Sequence, residues 1–256
     1  NIEIKLSSST YTFIVDEKKY SKTEFNKIAK ELLPTNVITC YSGESQRLWE
    51  NFYWPYYKEY IANIKESEVT PVLPMLYINR YNLSISLLTL FLYDFDIYTD
   101  IRDFCNKTLK IKEIANIVIK YDLKKIKEWS DNSVLRMIKQ LNKVEDISVL
   151  SEDKVKLSLP EIKERMAYMG ERDFFKTMYA ATMPKTDKII TEISYDIILD
   201  NDEIIKIDDL SEGEKKNILM ITILEVLADE NSLLLFDEPD AHIHISRKTQ
   251  LKELFD

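Results

Sequence analysis

The chain has 256 residues, 45% hydrophobic and 31% charged, with 35 basic residues against 44 acidic ones for a net charge of −9. That composition suits a globular protein with a sizeable core, and it argues against a general coat for nucleic acid while leaving room for a local basic patch. The longest apolar run, Leu83 to Tyr93, falls short of the ~18 residues of a membrane span, and Cys40 and Cys105 lack metal or redox spacing, so a cytoplasmic setting with no membrane is expected.

Ile2, Ile4 and Leu6 alternate with polar residues and Tyr11 to Val15 follows a serine run, which predicts an antiparallel hairpin extending the main sheet. Ser21 and Glu24 form a capping box for a helix with Phe25, Ile28 and Leu32 on one face, closing before Pro34. Asn36 to Tyr41 reads as a short strand, and Ser42 to Gln46 as the turn after it. Trp49, Phe52, Tyr53, Trp54, Tyr56, Tyr57 and Tyr60 then crowd the chain. They suit the core of a lobe or a protein–protein surface; with only Arg47 and Lys58 among them, base stacking is the weaker use.

Pro71 and Pro74 mark Val69 to Met75 as an extended passage, and Asn82 to Tyr93 as an apolar helix buried all round. Helices are predicted over Ile101–Lys107, Ile111–Ile119, Leu123–Trp129, Val134–Leu141 and Pro160–Tyr179, with a small hairpin within Val144–Leu159. Lys107, Lys110, Lys112, Lys120, Lys124, Lys125 and Lys127 gather here, as a solvated face or as a contact for a phosphate backbone. No heptad pattern persists, so a compact lobe is expected rather than a coiled-coil arm. After Pro184, Ile193, Tyr195, Ile197 and Leu199 alternate, Asp200 to Asp202 turn, and Ile204, Ile205 and Ile207 return.

Two motifs close the chain. In Leu210-Ser211-Glu212-Gly213-Glu214, Ser211 and Glu214 make a capping box before an apolar helix from Asn217 to Ala228. The free amides of that helix start, with Gly213 allowing close approach, suit an anion; an ordinary capped helix reads the same. Leu233 to Phe236 then reads as a strand buried on both faces, ending at Asp237 and Glu238, with Pro239 stopping further pairing. Ligands of open α/β sheets bind just beyond the carboxyl ends of strands. One carboxylate there can hold Mg²⁺ and the next can orient or deprotonate a water; alone, the pair reads as an acidic strand-end turn, and it is the company of the upstream motif that gives it weight.

In this order, Leu210–Glu214 resembles the signature motif and Leu233–Pro239 the Walker B strand of the ABC-type ATPase core. Within that class the chain is similar to ABC-like AAA-family ATPases of prokaryotic defence systems and OLD-family proteins, and more distantly to SMC and recombination-repair ATPases. The OLD-like run Asp-Glu-Pro-Glu-x-x-Leu-His-Pro is matched at Asp237, Glu238, Pro239 and His244 and departs at Ile243 and Ile245. The resemblance spans Ile204 to Asp256.

It implies an α/β fold: an ABC-type core, with a mixed or parallel sheet, flanking helices and β-hairpins, interrupted by a compact helical insertion. The core would run over 1–66, the insertion over 67–183, and the core would resume over 184–256. ATP and Mg²⁺ are the implied cofactors, sandwiched in a head-to-tail homodimer or higher oligomer. Ser211, Glu212 and Gly213 would meet the γ-phosphate of the partner's nucleotide. Asp237 would hold Mg²⁺, Gln46 would contact Mg²⁺ and water unless it is a surface turn residue, and Glu238 would polarise the attacking water. Asp240, His242 and His244 would lie at the interface; the His242/His244 pair lacks a third metal ligand nearby. The implied activity is ATP hydrolysis that controls an effector such as a nuclease in antiphage defence or DNA repair. The alternatives are a non-hydrolysing scaffold, or a module that binds DNA through the helical lobe.

The three glycines, Gly43, Gly170 and Gly213, are each followed by Glu, and none supplies the Gly-x-x-x-x-Gly-Lys-Ser/Thr loop that cradles β- and γ-phosphates. These residues are therefore expected to be the middle of a longer protein and inactive alone, with a degenerate ATPase as the rival. No nuclease constellation is present in the sequence.

Overall fold

In the computed structural model, which describes residues 2–7, 10–41, 49–67, 75–182 and 188–237, the strands fall into three sheets. The first is a meander of β1 (Ile2–Ser7), β2 (Thr10–Val15) and β3 (Lys18–Tyr20). Asp16 and Glu17 both take positive φ, the backbone that lets a two-residue turn follow the strand twist. α1 (Lys22–Leu32) covers β2 and β3, stacking Phe25 on Phe13 at 4.4 Å between ring centroids, and the Ser21–Glu24 capping box opens it as expected. Among the described residues this sheet stands apart and does not extend the parallel one: the tight turn folds β3 back onto β2.

The second sheet is parallel, in the order β10–β4–β5, with β4 (Asn36–Tyr41) between β5 (Met75–Ile78) and β10 (Ser232–Asp237). A π-helical turn, Trp49–Tyr53, and α2 (Trp54–Glu66) separate β4 from β5 in sequence. The aromatic run splits by face: Trp49, Tyr53, Tyr57 and Tyr60 are buried, while Phe52 and Tyr56 are each 64% exposed.

The third sheet, ordered β7–β6–β8–β9, is antiparallel and holds β6 (Ile111–Tyr121), β7 (Lys154–Leu157), β8 (Ile190–Leu199) and β9 (Ile204–Ile205). The helix expected over Ile111–Ile119 is thus a strand. The reason lies in its register with β8, which shifts between Ile111 and Glu113 and again between Ala115 and Val118. Each bulge inserts one residue, so the buried Ile111, Ile114 and Ile117 recur every third position and imitate a helical face. Asn116, in the second bulge, sits at φ 50°. Val144–Leu159 forms no hairpin of its own; β7 pairs with β6 instead.

The helices between the sheets are α3 (Leu83–Leu90), α4 (Thr99–Asp103), α5 (Leu123–Ile126), α6 (Ser133–Asn142), α7 (Leu159–Arg165), α8 (Glu171–Thr182) and α9 (Glu212–Ile221). The single helix expected over Pro160–Tyr179 is α7 and α8, broken around Gly170. α3 is the centre: Leu83, Ile85, Leu87, Leu88 and Leu90 are buried along with Ser86 and Thr89, and it packs against α8 and α9. Thr89 is tolerated there because its hydroxyl donates to the Ile85 carbonyl at 2.7 Å. Residues 67–183 therefore carry three strands besides their helices, and one of them, β5, belongs to the parallel sheet.

Candidate functional site

The site is set by register. Phe236 pairs with Cys40 and Cys40 with Ile78, so all three strands end at one level and Asp237 closes β10 beside Tyr41. The carboxyl tip of this parallel sheet is where a ligand of an α/β protein sits. At the opposite end, Asp229 fixes how β4 and β10 enter. It accepts from Ser232 Oγ at 2.9 Å, the Asn231 amide at 3.1 Å, Thr35 Oγ1 at 3.1 Å and Asn36 Nδ2 at 3.3 Å. Arg172 on α8 reaches the same carboxylate at 3.2 Å and also donates to the carbonyls of Val226 and Ala228. Those donors, the Ser232 hydroxyl first, hold the Asp229 carboxyl below its ordinary range.

α9 carries Ser211, Glu212 and Gly213 at its start and packs on α3. Ser211 is its N-cap: Oγ accepts from the Glu214 amide at 3.3 Å, and the Glu214 carboxylate takes the Ser211 amide at 2.9 Å and Oγ at 2.7 Å. That box satisfies one end of the backbone and leaves the amides of Glu212 and Gly213 in the unbonded first turn. Glu212 pairs with Lys215 at 2.9 Å. The next residue, Lys216, is only 7% exposed, and Asn217 beside it is also buried. The Lys216 charge acts on Cys40, opposing the burial that pushes that thiol up to about 11. α9 packs against the turn Arg80–Asn82 that follows β5, so it lies at this end of the sheet, and its buried face is polar at Lys216 and Asn217 where a purely structural helix would bury a hydrocarbon.

After Ile221 the helix widens into a π-helical turn, Thr222–Leu227, where Thr222 Oγ1 donates back to the Ile218 carbonyl at 2.7 Å. The helix expected from Asn217 to Ala228 is thus present but changes its winding halfway.

Of the predicted site residues, Ser211, Glu212 and Gly213 head α9 and Asp237 ends β10. Gln46, Glu238, Asp240, His242 and His244 lie outside the described residues. Among the described residues no three His, Cys, Asp or Glu side chains form a metal-holding group. In the lysine cluster, Lys107 pairs with Asp103, Lys112 with Asp202 and Lys120 with Glu192, at 2.7–2.8 Å, which is the behaviour of a solvated face. No helix among the described residues is long and apolar enough to cross a membrane.

Two features of the tip escaped the sequence reading. One is buried Lys216, whose only signal was the Lys215-Lys216 doublet placed directly before the apolar half of the helix. The other is the turn after β5, where Asn79 and Asn82 cap one another and hold Arg80 and Tyr81 between them.

Comparison with known proteins bears on the whole of this arrangement. No curated protein and no solved structure matches the chain. Residues 21–256 match the family model described as "AAA domain, putative AbiEii toxin, Type IV TA system". That match takes in α1, the parallel sheet, α9 and the acidic strand end together, and the chain accordingly belongs to this AAA domain family, as an ATPase-type domain of mixed α/β fold.

Proposed function

We propose that the chain binds ATP with Mg²⁺ and hydrolyses it as part of a switch that closes head-to-tail around nucleotide and governs an effector, a nuclease being the class in view. The observation that carries this reading is the meeting of two elements at one place. An acidic strand end terminates the parallel sheet beside β4, and the glycine- and serine-headed α9 packs on the turn that follows β5 at the same end of that sheet.

The donors fit the cofactors by chemistry. Mg²⁺ takes one or two carboxylates together with phosphate oxygens and waters, so Asp237 would hold it, with Gln46 as a further oxygen. The bound ion would supply charge neutralisation at the phosphates. Glu238 accepts a proton from, or orients, the attacking water. The Glu212 and Gly213 amides and the positive end of α9 bind phosphate oxygens of a nucleotide held on a second protomer. Completing each site from two chains makes turnover conditional on assembly, which is the property a switch needs. Asp240, His242 and His244, following the acidic pair, are proposed to lie at that interface. The segments 1–66 and 184–256 together with β5 and the turn after it would form the core, and the remainder of 67–183 the lobe that reports closure to the effector.

Replacing Glu238 by Gln in the whole protein tests the reading. Turnover should fall by roughly 10²-fold or more, and an ATP-bound dimer should persist in size-exclusion chromatography. Unchanged turnover with unchanged dimer lifetime would overturn it.

A further inference from the structure

We infer that Arg80 is a phosphate-binding residue of this same site, approaching from the β5 side of the sheet tip; the inference rests on the nucleotide reading above and adds a ligand contact to it. Arg80 follows β5 by two residues. Ile78, which ends β5, registers with Cys40 and through it with Phe236, so Arg80 stands at the same end of the sheet as Asp237. Two strand spacings separate β5 from β10, about 10 Å. A metal-bound triphosphate reaching across the tip spans that gap, with an arginine side chain meeting it partway.

The turn carrying Arg80 is built to hold still. The Asn79 amide donates to Asn82 Oδ1 at 2.9 Å, the Tyr81 amide to Asn79 Oδ1 at 2.9 Å, and the Asn82 amide to the Asn79 carbonyl at 2.9 Å. Asn82 is fully buried, and α9 packs directly on this turn. On that fixed base Arg80 and Tyr81 face outward, Tyr81 with 65% of its surface exposed. The guanidinium lies 5.2 Å from the centroid of the Tyr81 ring, and its Nη2 donates to the Tyr81 hydroxyl at 3.4 Å. A guanidinium stacked on a ring keeps its planar fork oriented, and that fork matches two phosphate oxygens at once.

Charge points the same way. In a chain of net −9, the helix packed on this turn also buries Lys216. Cations from two separate elements thus stand at the tip opposite the acidic end of β10, the division of labour a metal–phosphate ligand requires: carboxylate for the ion, cations for the oxygens.

The experiment titrates the whole protein with a fluorescent ATP analogue and, separately, with inorganic triphosphate, comparing wild type with Arg80→Ala, Arg80→Lys and Tyr81→Phe. Arg80→Ala should weaken both ligands roughly tenfold or more, Arg80→Lys should recover part of that, and Tyr81→Phe should stay near wild type. Thermal melting should be unchanged for all three, because the side chains are exposed. Arg80→Ala binding within twofold of wild type overturns the inference, as does a loss confined to the nucleotide with triphosphate unaffected. Triphosphate binding that depends on Arg80 in a protein that ignores ATP sustains the inference and removes the nucleotide reading. Failure of wild type to bind either ligand removes both.

Discussion

The hydroxyl of Tyr179 on α8 satisfies both backbone groups of Tyr77 on β5: it donates to the Tyr77 carbonyl at 3.0 Å and accepts from the Tyr77 amide at 3.2 Å. Its one proton being so used, the contact at 2.8 Å with Tyr53 must be donated by the Tyr53 hydroxyl. A side chain takes the place of a further strand along the outer edge of the parallel sheet, and it joins β5, α8 and the turn before α2 in one buried knot. All four phenols of this knot and its neighbour, Tyr53, Tyr57, Tyr60 and Tyr179, are pushed up by burial, Tyr60 to about 12, so none ionises at working pH.

Tyr179→Phe should therefore be costly beyond its single oxygen. It removes the hydroxyl that bonds both the Tyr77 amide and the Tyr77 carbonyl in the core, at a cost of about 1–3 kcal/mol. The urea midpoint should drop with little change in slope. Tyr57→Phe removes only a 3.4 Å bond to the Tyr179 carbonyl and should cost less. Equal midpoints for the two variants would contradict this ranking.

Asp229 predicts an acid limb of stability. Its carboxyl lies below the ordinary range when folded, so its contribution is present above the unfolded value of about 3.9 and disappears as the pH falls from there through the folded value. Asp229→Asn should lower stability at neutral pH and flatten the dependence below about pH 4–5. Denaturation curves collected from pH 3 to 7 measure it, and parallel profiles for the two proteins would count against the hub.

Ser211 has a structural duty that must be separated from any nucleotide contact. Ser211→Ala removes the capping box and should destabilise by about 1 kcal/mol. Ser211→Asp keeps a cap yet places a carboxylate where phosphate is proposed. The expected result is near wild-type melting for the Asp variant with nucleotide binding lost; binding retained in that variant would argue that α9 is a plain capped helix.

Cys40 and Cys105 should be silent toward thiol reagents. Burial pushes them up to about 11 and about 12, leaving almost no thiolate at pH 8. A chromogenic disulfide should react with both only upon unfolding in denaturant. Fast labelling of Cys40 in the native protein would mean that the tip of β4 opens.

What was legible in the sequence was local. The capping boxes at Ser21 and Ser211, the β-branched run of β4 and the apolar run of β10 each declare themselves within a few residues, and each forms where expected, but β10 is not buried on both faces: Leu233 and Leu235 are each 45% exposed, because among the described residues it lies at the edge of its sheet. β6 failed that test because two bulges gave a strand the spacing of a helix. β5 was passed over because four residues behind two prolines make a weak signal, and its place in the sheet depends on pairing with β4. Tyr179 was unreadable for a different reason: its partner Tyr77 is 102 residues away, and nothing in the pattern of either neighbourhood announces the other. The same holds for Lys216, whose burial follows from where α9 docks rather than from its flanking residues.

The hydrogen bonds from Thr35 to Asp229 and Asn231 join positions separated by 194 and 196 residues. A sheet whose middle and acidic edge strands lie that far apart in sequence cannot be finished early, since closing so long a loop comes before any reward from pairing. While the intervening residues are being synthesised, β4 and β5 must wait with one flank open. Completion of the tip is thereby tied to a segment far along the chain from β4, and refolding from denaturant should show this strand docking as a late, slow phase.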